Sequence, residues 1–139
     1  MIELIPLKLK CKFCGHDFSD AVEQIDGFPS VKLRVSGKNG SGDIWLSPLY
    51  GSYNLKSSIK LEEGEIVTLY CPHCNRELPE TRNCENCGAP MAALALHLDQ
   101  GDVEICLRKG CKNHYIEFRD FKKMKEFYEI YEDFFRPGP

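Results

Sequence analysis

No stretch of this 139-residue sequence holds the roughly 20 consecutive apolar residues that a membrane-spanning helix needs. The first six residues, MIELIP, also lack the basic segment and long apolar segment of a secretory leader. We therefore expect a cytoplasmic protein with no membrane association. The chain has eight cysteines, six of them in three CxxC pairs. Because the cytoplasm is reducing, these cysteines are expected to bind metal rather than to form disulfides.

An excess of basic residues is missing as well: 18 Lys and Arg stand against 21 Asp and Glu, for a formal net charge of −3. Four-thiolate metal sites would make the chain more acidic, to about −7 for two divalent ions. Binding to a phosphate backbone requires a concentrated basic face. Here several basic residues instead flank cysteines, where they would neutralise metal clusters, so charge disfavours nucleic acid as a partner. These residues are Lys10, Lys12, Arg76, Arg82, Arg108, Lys109 and Lys112.

The apolar residues form no long runs, although they make up 42% of the chain, because Gly, Pro and Cys interrupt them. A single large core is therefore not expected. Small lobes of this kind need additional stabilisation, and a structural zinc ion supplies about 10–16 kcal/mol of apparent binding energy that also drives folding. We expect folding to require metal.

Eight cysteines form four pairs along the chain. Three pairs have the CxxC spacing, and in the fourth pair four residues separate the cysteines. Four pairs supply the ligands of two tetrahedral four-thiolate sites, so the sequence predicts two Zn²⁺ ions per chain. The predicted ligands are Cys11, Cys14, Cys71, Cys74, Cys84, Cys87, Cys106 and Cys111.

Three assignments of these pairs to the two metals are open. In the sequential arrangement the first pair joins the second and the third joins the fourth. In a cross-brace the first joins the third, and in a compact site the second joins the third. Predicted strands run directly into Cys71 and Cys106. Each strand would bring its cysteine pair back to the CxxC turn, or knuckle, that precedes it in sequence. This order favours the sequential arrangement. His114 is an alternative ligand in place of Cys106, because the fourth pair is widely spaced.

The periodicity of the remaining chain predicts a small, mixed, β-rich fold. Residues 1–76 form an N-terminal metal-binding unit with a β-rich insertion at about residues 20–70, and residues 77–118 form a second unit. Residues 37–43 resemble a phosphate loop but lack its terminal Lys-Ser/Thr, so they are interpreted as a hairpin loop. Short strands are predicted at residues 4–10, 31–35, 44–46, 53–55, 59–61, 66–70, 94–98 and 103–106, and a polar linker at 75–83.

Residues 119–136 have the three- and four-residue apolar spacing of an amphipathic helix. Its apolar face is rich in aromatic residues, which indicates either packing against the ribbons or a surface for a protein partner or for self-association. The face consists of Phe121, Met124, Tyr128, Tyr131 and Phe135, widened by Phe127, Ile130 and Phe134.

The cysteine pairs and the glycines that follow Cys14 and Cys87 resemble those of zinc-ribbon proteins, a superfamily of zinc fingers whose knuckles are shared with rubredoxins. The resemblance covers the ligand neighbourhoods, under half of the chain. It implies two zinc ribbons with antiparallel hairpins. It also implies zinc binding and recognition of protein or nucleic acid, and it does not imply catalysis. The chain departs from simple ribbons in its long insertion and in the spacing of the fourth pair.

Zinc with four sulfur ligands has no open position at which to activate water, and no cysteine remains as a free nucleophile. The sequence therefore predicts a non-enzymatic interaction module or accessory subunit of a larger assembly. One alternative is a nucleic-acid-binding, transcription-type regulator. A second is a rubredoxin-like iron electron carrier, since four thiolates also bind iron. Zinc is favoured over iron because Cys74 is not followed by the glycine typical of a rubredoxin knuckle, and because duplicated sites fit structural zinc better.

Overall fold

A computed structural model of the chain describes residues 6–135, with side chains described as far as residue 129 in the C-terminal helix. The elements are ten β-strands, one short 3₁₀ turn at His97–Asp99 and one α-helix. The strands are β1 Leu9–Lys10, β2 Ser19–Ile25, β3 Phe28–Gly37, β4 Gly40–Leu46, β5 Leu55–Ser57, β6 Thr68–Tyr70, β7 Glu80–Asn83, β8 Pro90–Leu96, β9 Gly101–Cys106 and β10 His114–Phe118, and the helix is α1 Phe121–Phe135.

The first sheet is antiparallel, in the order β2-β3-β4-β5, with β6 also paired to β3. Strand β3 is at its centre, since it pairs with β2, β4 and β6. Val31, Leu33 and Val35 alternate with polar residues along β3, so one apolar face is turned toward the interior. The predicted hairpin loop at residues 37–43 is a tighter turn, with Gly37 paired to Gly40. The strand predicted at residues 59–61 is wrong. The amide of Ser58 still donates to the carbonyl of Asp43 in β4, and the chain leaves the sheet after this bond.

The second sheet is also antiparallel, in the order β1-β8-β9-β10, with β7 paired to the other end of β8. The run Met91–Leu94 in β8 is buried without interruption, as expected of a central strand covered on both faces. The polar linker predicted at residues 75–83 is wrong for Glu80–Asn83, which form strand β7. All side chains of β7 are exposed, which explains why its sequence is polar. Strand β8 also ends before Leu98, whose φ of 60° breaks the predicted alternation.

A single core joins the two sheets, contrary to the expectation that no large core would form. Leu33 of the first sheet and Leu94 of the second belong to one buried cluster, which also includes Phe18 and Leu78. Backbone pairing also crosses the predicted boundary between the two units, since β1 belongs to the sheet of the C-terminal unit. Short apolar runs suffice for one core because strands from both halves share it. The division of the chain into two ribbon units stays a prediction.

Helix α1 begins after Asp120, whose carboxylate accepts a hydrogen bond from the amide of Lys123 at 2.8 Å. Phe127 is buried, whereas Phe121, predicted on the same apolar face, is 75% exposed. The rings of Phe118, Phe127 and Tyr128 form a cluster with centroid separations of 5.1–6.2 Å. Part of the predicted face lies outside the described side chains, namely that of Ile130, Tyr131, Phe134 and Phe135. In the described part of the chain, no helix has the length and apolarity needed to span a membrane.

Candidate metal centres

The eight cysteines come together in two groups of four, each with all its sulfur atoms within 4.8 Å of one another. The groups follow the sequential arrangement predicted from the strand order. His114 does not replace Cys106 in the second group. The first group contains Cys11, Cys14, Cys71 and Cys74, and the second contains Cys84, Cys87, Cys106 and Cys111.

The sulfur separations fit a tetrahedral metal. The Sγ–Sγ distances are 3.8 Å between Cys11 and Cys74 and 3.7 Å between Cys14 and Cys71. In the second group they are 3.7 Å between Cys84 and Cys111 and 3.4 Å between Cys87 and Cys106. A tetrahedron with metal–sulfur bonds of about 2.3 Å requires sulfur separations of about 3.8 Å. Both groups could therefore hold a metal ion.

Three of the four pairs lie in knuckles with the same backbone hydrogen bonds. The amide of the first cysteine donates to the carbonyl five residues ahead, and the amide four residues ahead donates back to that cysteine's carbonyl. This turn lets two thiolates converge, because it folds the chain back on itself within six residues. The distances of the two bonds are 2.9 and 3.0 Å at Cys11, 2.9 and 2.9 Å at Cys71, and 2.7 and 2.8 Å at Cys84.

The second knuckle has this geometry without the glycine that the other two contain. Asn75 has a φ of 62°, close to the 74° of Gly15 and the 79° of Gly88. Asparagine tolerates this left-handed conformation better than most residues with a side chain. The absence of glycine after Cys74 therefore does not distinguish this knuckle from the rubredoxin type, contrary to the sequence argument for zinc over iron.

The fourth pair is delivered by a wider loop that the N-terminal half of the chain supports. The amide of Cys111 donates to the carbonyl of Arg108 at 3.1 Å, and Gly110 completes the turn with a φ of 92°. Residues 64–67 form backbone hydrogen bonds with residues 107–109, at 2.8–2.9 Å. Since these bonds join distant parts of the sequence, the second metal group depends on the packing of the whole fold.

Hydrogen bonds to sulfur favour the thiolate form in both groups. The amides of Phe13 and His73 donate to Cys11 at 3.3 Å and to Cys71 at 3.4 Å. The side-chain amide of Asn113 donates to Cys84 at 3.2 Å. Donors of this kind offset part of the negative charge that four thiolates concentrate around one ion. Sequence analysis missed Asn113, since nothing in its local sequence shows that it approaches Cys84.

Burial and hydrogen bonding set different proton affinities within each group. Burial raises the pKa of the Cys71 thiol to about 12 and that of Cys106 to about 11. Burial alone would raise the pKa of Cys84 too, but hydrogen bonds from the Asn113 side chain and from the amides of Cys87 and Asn86 lower it to about 6. A metal must therefore displace protons from the buried thiols when it binds.

The histidines of the chain lie outside the two sulfur groups. His16 and His73 stack on each other beside the first group, with ring centroids 5.0 Å apart and an interplanar angle of 5°. His97, predicted on a strand, is exposed in the 3₁₀ turn. His114 packs against Tyr53, with ring centroids 4.3 Å apart, and burial lowers its pKa to about 4.

A scan against protein-family models gives no match, and neither does a search of curated proteins or of solved structures. The resemblance to zinc ribbons therefore depends on the cysteine groups and their knuckles.

Proposed function

We propose that this chain is a non-catalytic, cytoplasmic two-zinc ribbon protein that acts as a protein–protein interaction module or as an accessory subunit of a larger assembly. The observation that carries the proposal is the pair of four-cysteine groups with tetrahedral spacing. Four thiolates complete the coordination shell of Zn²⁺, so each ion would brace the fold and leave no position for water or substrate. Structural zinc of this kind stabilises the fold and its surface and takes no part in a reaction.

The aromatic start of helix α1 is the surface proposed to meet a partner. Phe121 is 75% exposed, next to the cluster that Phe118, Phe127 and Tyr128 form against β10. An exposed phenylalanine beside a partly buried aromatic cluster offers apolar area that a second protein, or a second copy of this chain, would cover. Phe127 anchors the helix in the core, so the helix presents this surface in a fixed position.

Substitution of the exposed ring tests the interaction surface without removing the helix from the core. Phe121→Glu is expected to abolish self-association, or retention of a partner in pull-downs, while metal content and melting temperature stay unchanged. Lys122→Gln, at the adjacent exposed position, changes the net charge by the same amount and is the matched control. The interaction proposal fails if the wild-type chain is monomeric over a wide concentration range and Phe121→Glu retains every partner that the wild type retains.

Elemental analysis combined with a visible absorption spectrum tests the metal. Two zinc ions per chain and a colourless protein are expected. Removal of the metal by a chelator should unfold the ribbons, because structural zinc contributes folding energy directly. Metal content below one ion per chain in freshly purified protein, with the fold intact, would contradict the proposal.

Iron in the first group is the second candidate, and one observation favours it. Both cysteine pairs of that group lie in knuckles of the same geometry, with Gly15 and Asn75 in equivalent left-handed positions. Iron with four thiolates would make the chain an electron carrier. A red protein with one iron ion per chain would establish this alternative, and the same absorption spectrum distinguishes it from zinc.

A further inference from the structure

A cleft of about 280 Å³ opens between the two sheets, next to the second metal group. Its floor consists of buried apolar side chains from both sheets, so it extends from the surface into the shared core. A cavity with an apolar lining holds water poorly and favours an apolar guest. The floor residues include Leu9, Val31, Ile44, Leu69, Leu94 and Val103.

Two loops form the mouth of the cleft, residues 47–55 and residues 106–114. They are joined by the hydroxyl of Tyr50, which donates to the carbonyl of His114 at 3.2 Å, and by the contact between the rings of His114 and Tyr53. A second set of bonds fixes the first loop: Asp26 accepts hydrogen bonds from Ser47, Ser52 and Asn54 at 2.6–2.8 Å. Bonds within the chain therefore hold the mouth in shape, as expected of a preformed binding site.

Of the three basic residues at the mouth, Lys109 and Arg108 are held by residues 63–64, and Lys112 is not. Lys109 pairs with Glu63 at 2.7 Å, and Arg108 donates to the carbonyl of Gly64 at 2.8 Å. Lys112 is exposed and forms no ion pair within residues 6–129, for which side chains are described.

From the apolar floor, the fixed mouth and this unpaired cation, we propose that the cleft binds a small amphipathic carboxylate. Its hydrocarbon part would lie between the sheets, and its carboxylate would lie at the mouth beside Lys112. A second protein could insert an apolar side chain here, but such an occupant gives no role to a cation at the rim. The metal groups would then hold a ligand-binding fold in shape, a role that goes beyond an interaction module.

The cleft volume sets the size of the ligand. A cavity of about 150 Å³ lined by apolar side chains accommodates benzene. The cleft, at about 280 Å³, should hold roughly eleven carbon-sized atoms by the same ratio. Decanoate matches this size and carries the required charge, so it is a suitable probe. Decanol has the same chain without the charge.

The test measures binding of decanoate and decanol to the metal-loaded protein by calorimetry and by chemical-shift changes of methyl groups in the floor. Decanoate is expected to bind more tightly than decanol. Lys112→Glu should weaken decanoate binding about three- to tenfold, because it replaces an exposed ion pair with an exposed like-charge pair. It should leave decanol binding unaffected. Lys122→Glu, on the exposed face of α1, is the control for the change in net charge.

A second variant fills the cleft. Leu46 is half-buried at its wall, and Leu46→Trp should abolish binding of both probes. Val22→Trp, at a position that is 91% exposed on β2, adds the same side chain far from the floor. Metal content and melting temperature identify any variant that fails to fold. Absence of decanoate binding at millimolar concentration, or equal binding by Leu46→Trp, would overturn the proposal. Equal affinities of Lys112→Glu and wild type for decanoate would overturn the assignment of the carboxylate.

Discussion

Asn113→Ala provides a direct test of how the fold supports the second metal group. Asn113 comes before β10 and donates its side-chain amide to the sulfur of Cys84 at 3.2 Å. Cys84 is 3% exposed, so its sulfur depends on donors from the protein itself. The alanine variant therefore leaves a buried thiolate with one fewer donor and should weaken metal binding at this group alone.

The expected loss follows from the charge on the acceptor. A hydrogen bond to a charged group contributes about 1.5–3 kcal/mol, which corresponds to a change of about 10- to 150-fold in affinity. Substitutions of residues that orient metal ligands typically cost about 10- to 100-fold in metal affinity. The backbone amides of Asn86 and Cys87 still donate to Cys84, so we expect a loss of about 10- to 100-fold rather than complete loss.

Competition with a chromophoric chelator measures this loss, and the first group serves as an internal control. Wild-type protein loaded with two Zn²⁺ ions should release both ions only at high chelator concentration. Asn113→Ala should release one of its two ions at a lower chelator concentration. Thiol alkylation followed by mass spectrometry identifies which cysteines become accessible. Asn86→Ala is the matched control. Asn86 lies between Cys84 and Cys87, its side chain is exposed, and its backbone amide still donates to Cys84 in the variant. The reasoning is refuted if Asn113→Ala and Asn86→Ala lose metal equally, or if the labile ion comes from the first group.

Three further predictions concern the core, the second knuckle and pH. Leu33→Ala, at a fully buried position in β3, should lower the free energy of unfolding by about 2–5 kcal/mol in denaturant titrations of the metal-loaded protein; a loss below 1 kcal/mol would contradict the close packing of the core around Leu33. Asn75→Val should cost about 1–2 kcal/mol because of the left-handed φ, and Asn75→Gly should cost nothing; equal stabilities would show that the knuckle relaxes. Metal affinity should fall as pH is lowered from 8 to 5, because the raised pKa values of Cys71 and Cys106 make protons compete with the metal; a chelator titration that is independent of pH would contradict this.

The short-range part of the fold was predictable because its causes are local. A CxxC turn brings two sulfurs and several amides together within a few residues, so six of the eight predicted ligands could be named from that spacing. Cys106 and Cys111 were named because they complete the fourth pair. Alternating apolar residues predicted parts of β3 and β8, and short apolar runs next to turns predicted parts of β4 and β9. The apolar spacing after Arg119 predicted α1, although Phe121 is exposed and the more buried residue is Phe127.

Elements that carry no apolar alternation were missed. Strand β7 has only exposed side chains, and β2 contains a register shift between Asp20 and Gln24 that disrupts any period. Both are strands because a neighbouring strand offers hydrogen bonds, and local sequence does not record that neighbour. The sequence argument against a large core failed similarly, since it treated apolar runs from the two halves as separate.

The sequence by itself determined which side chains are available to bind metal and the local turn in which each CxxC pair lies. Only the tertiary structure decided which pairs share a site: Cys14 and Cys71 are 57 residues apart in sequence, yet their sulfurs are 3.7 Å apart. It also placed Asn113 against Cys84 and opened the cleft between the sheets. The physical reason is that these features arise where strands distant in sequence pack together, and the free energy of that packing depends on the whole core rather than on any one segment.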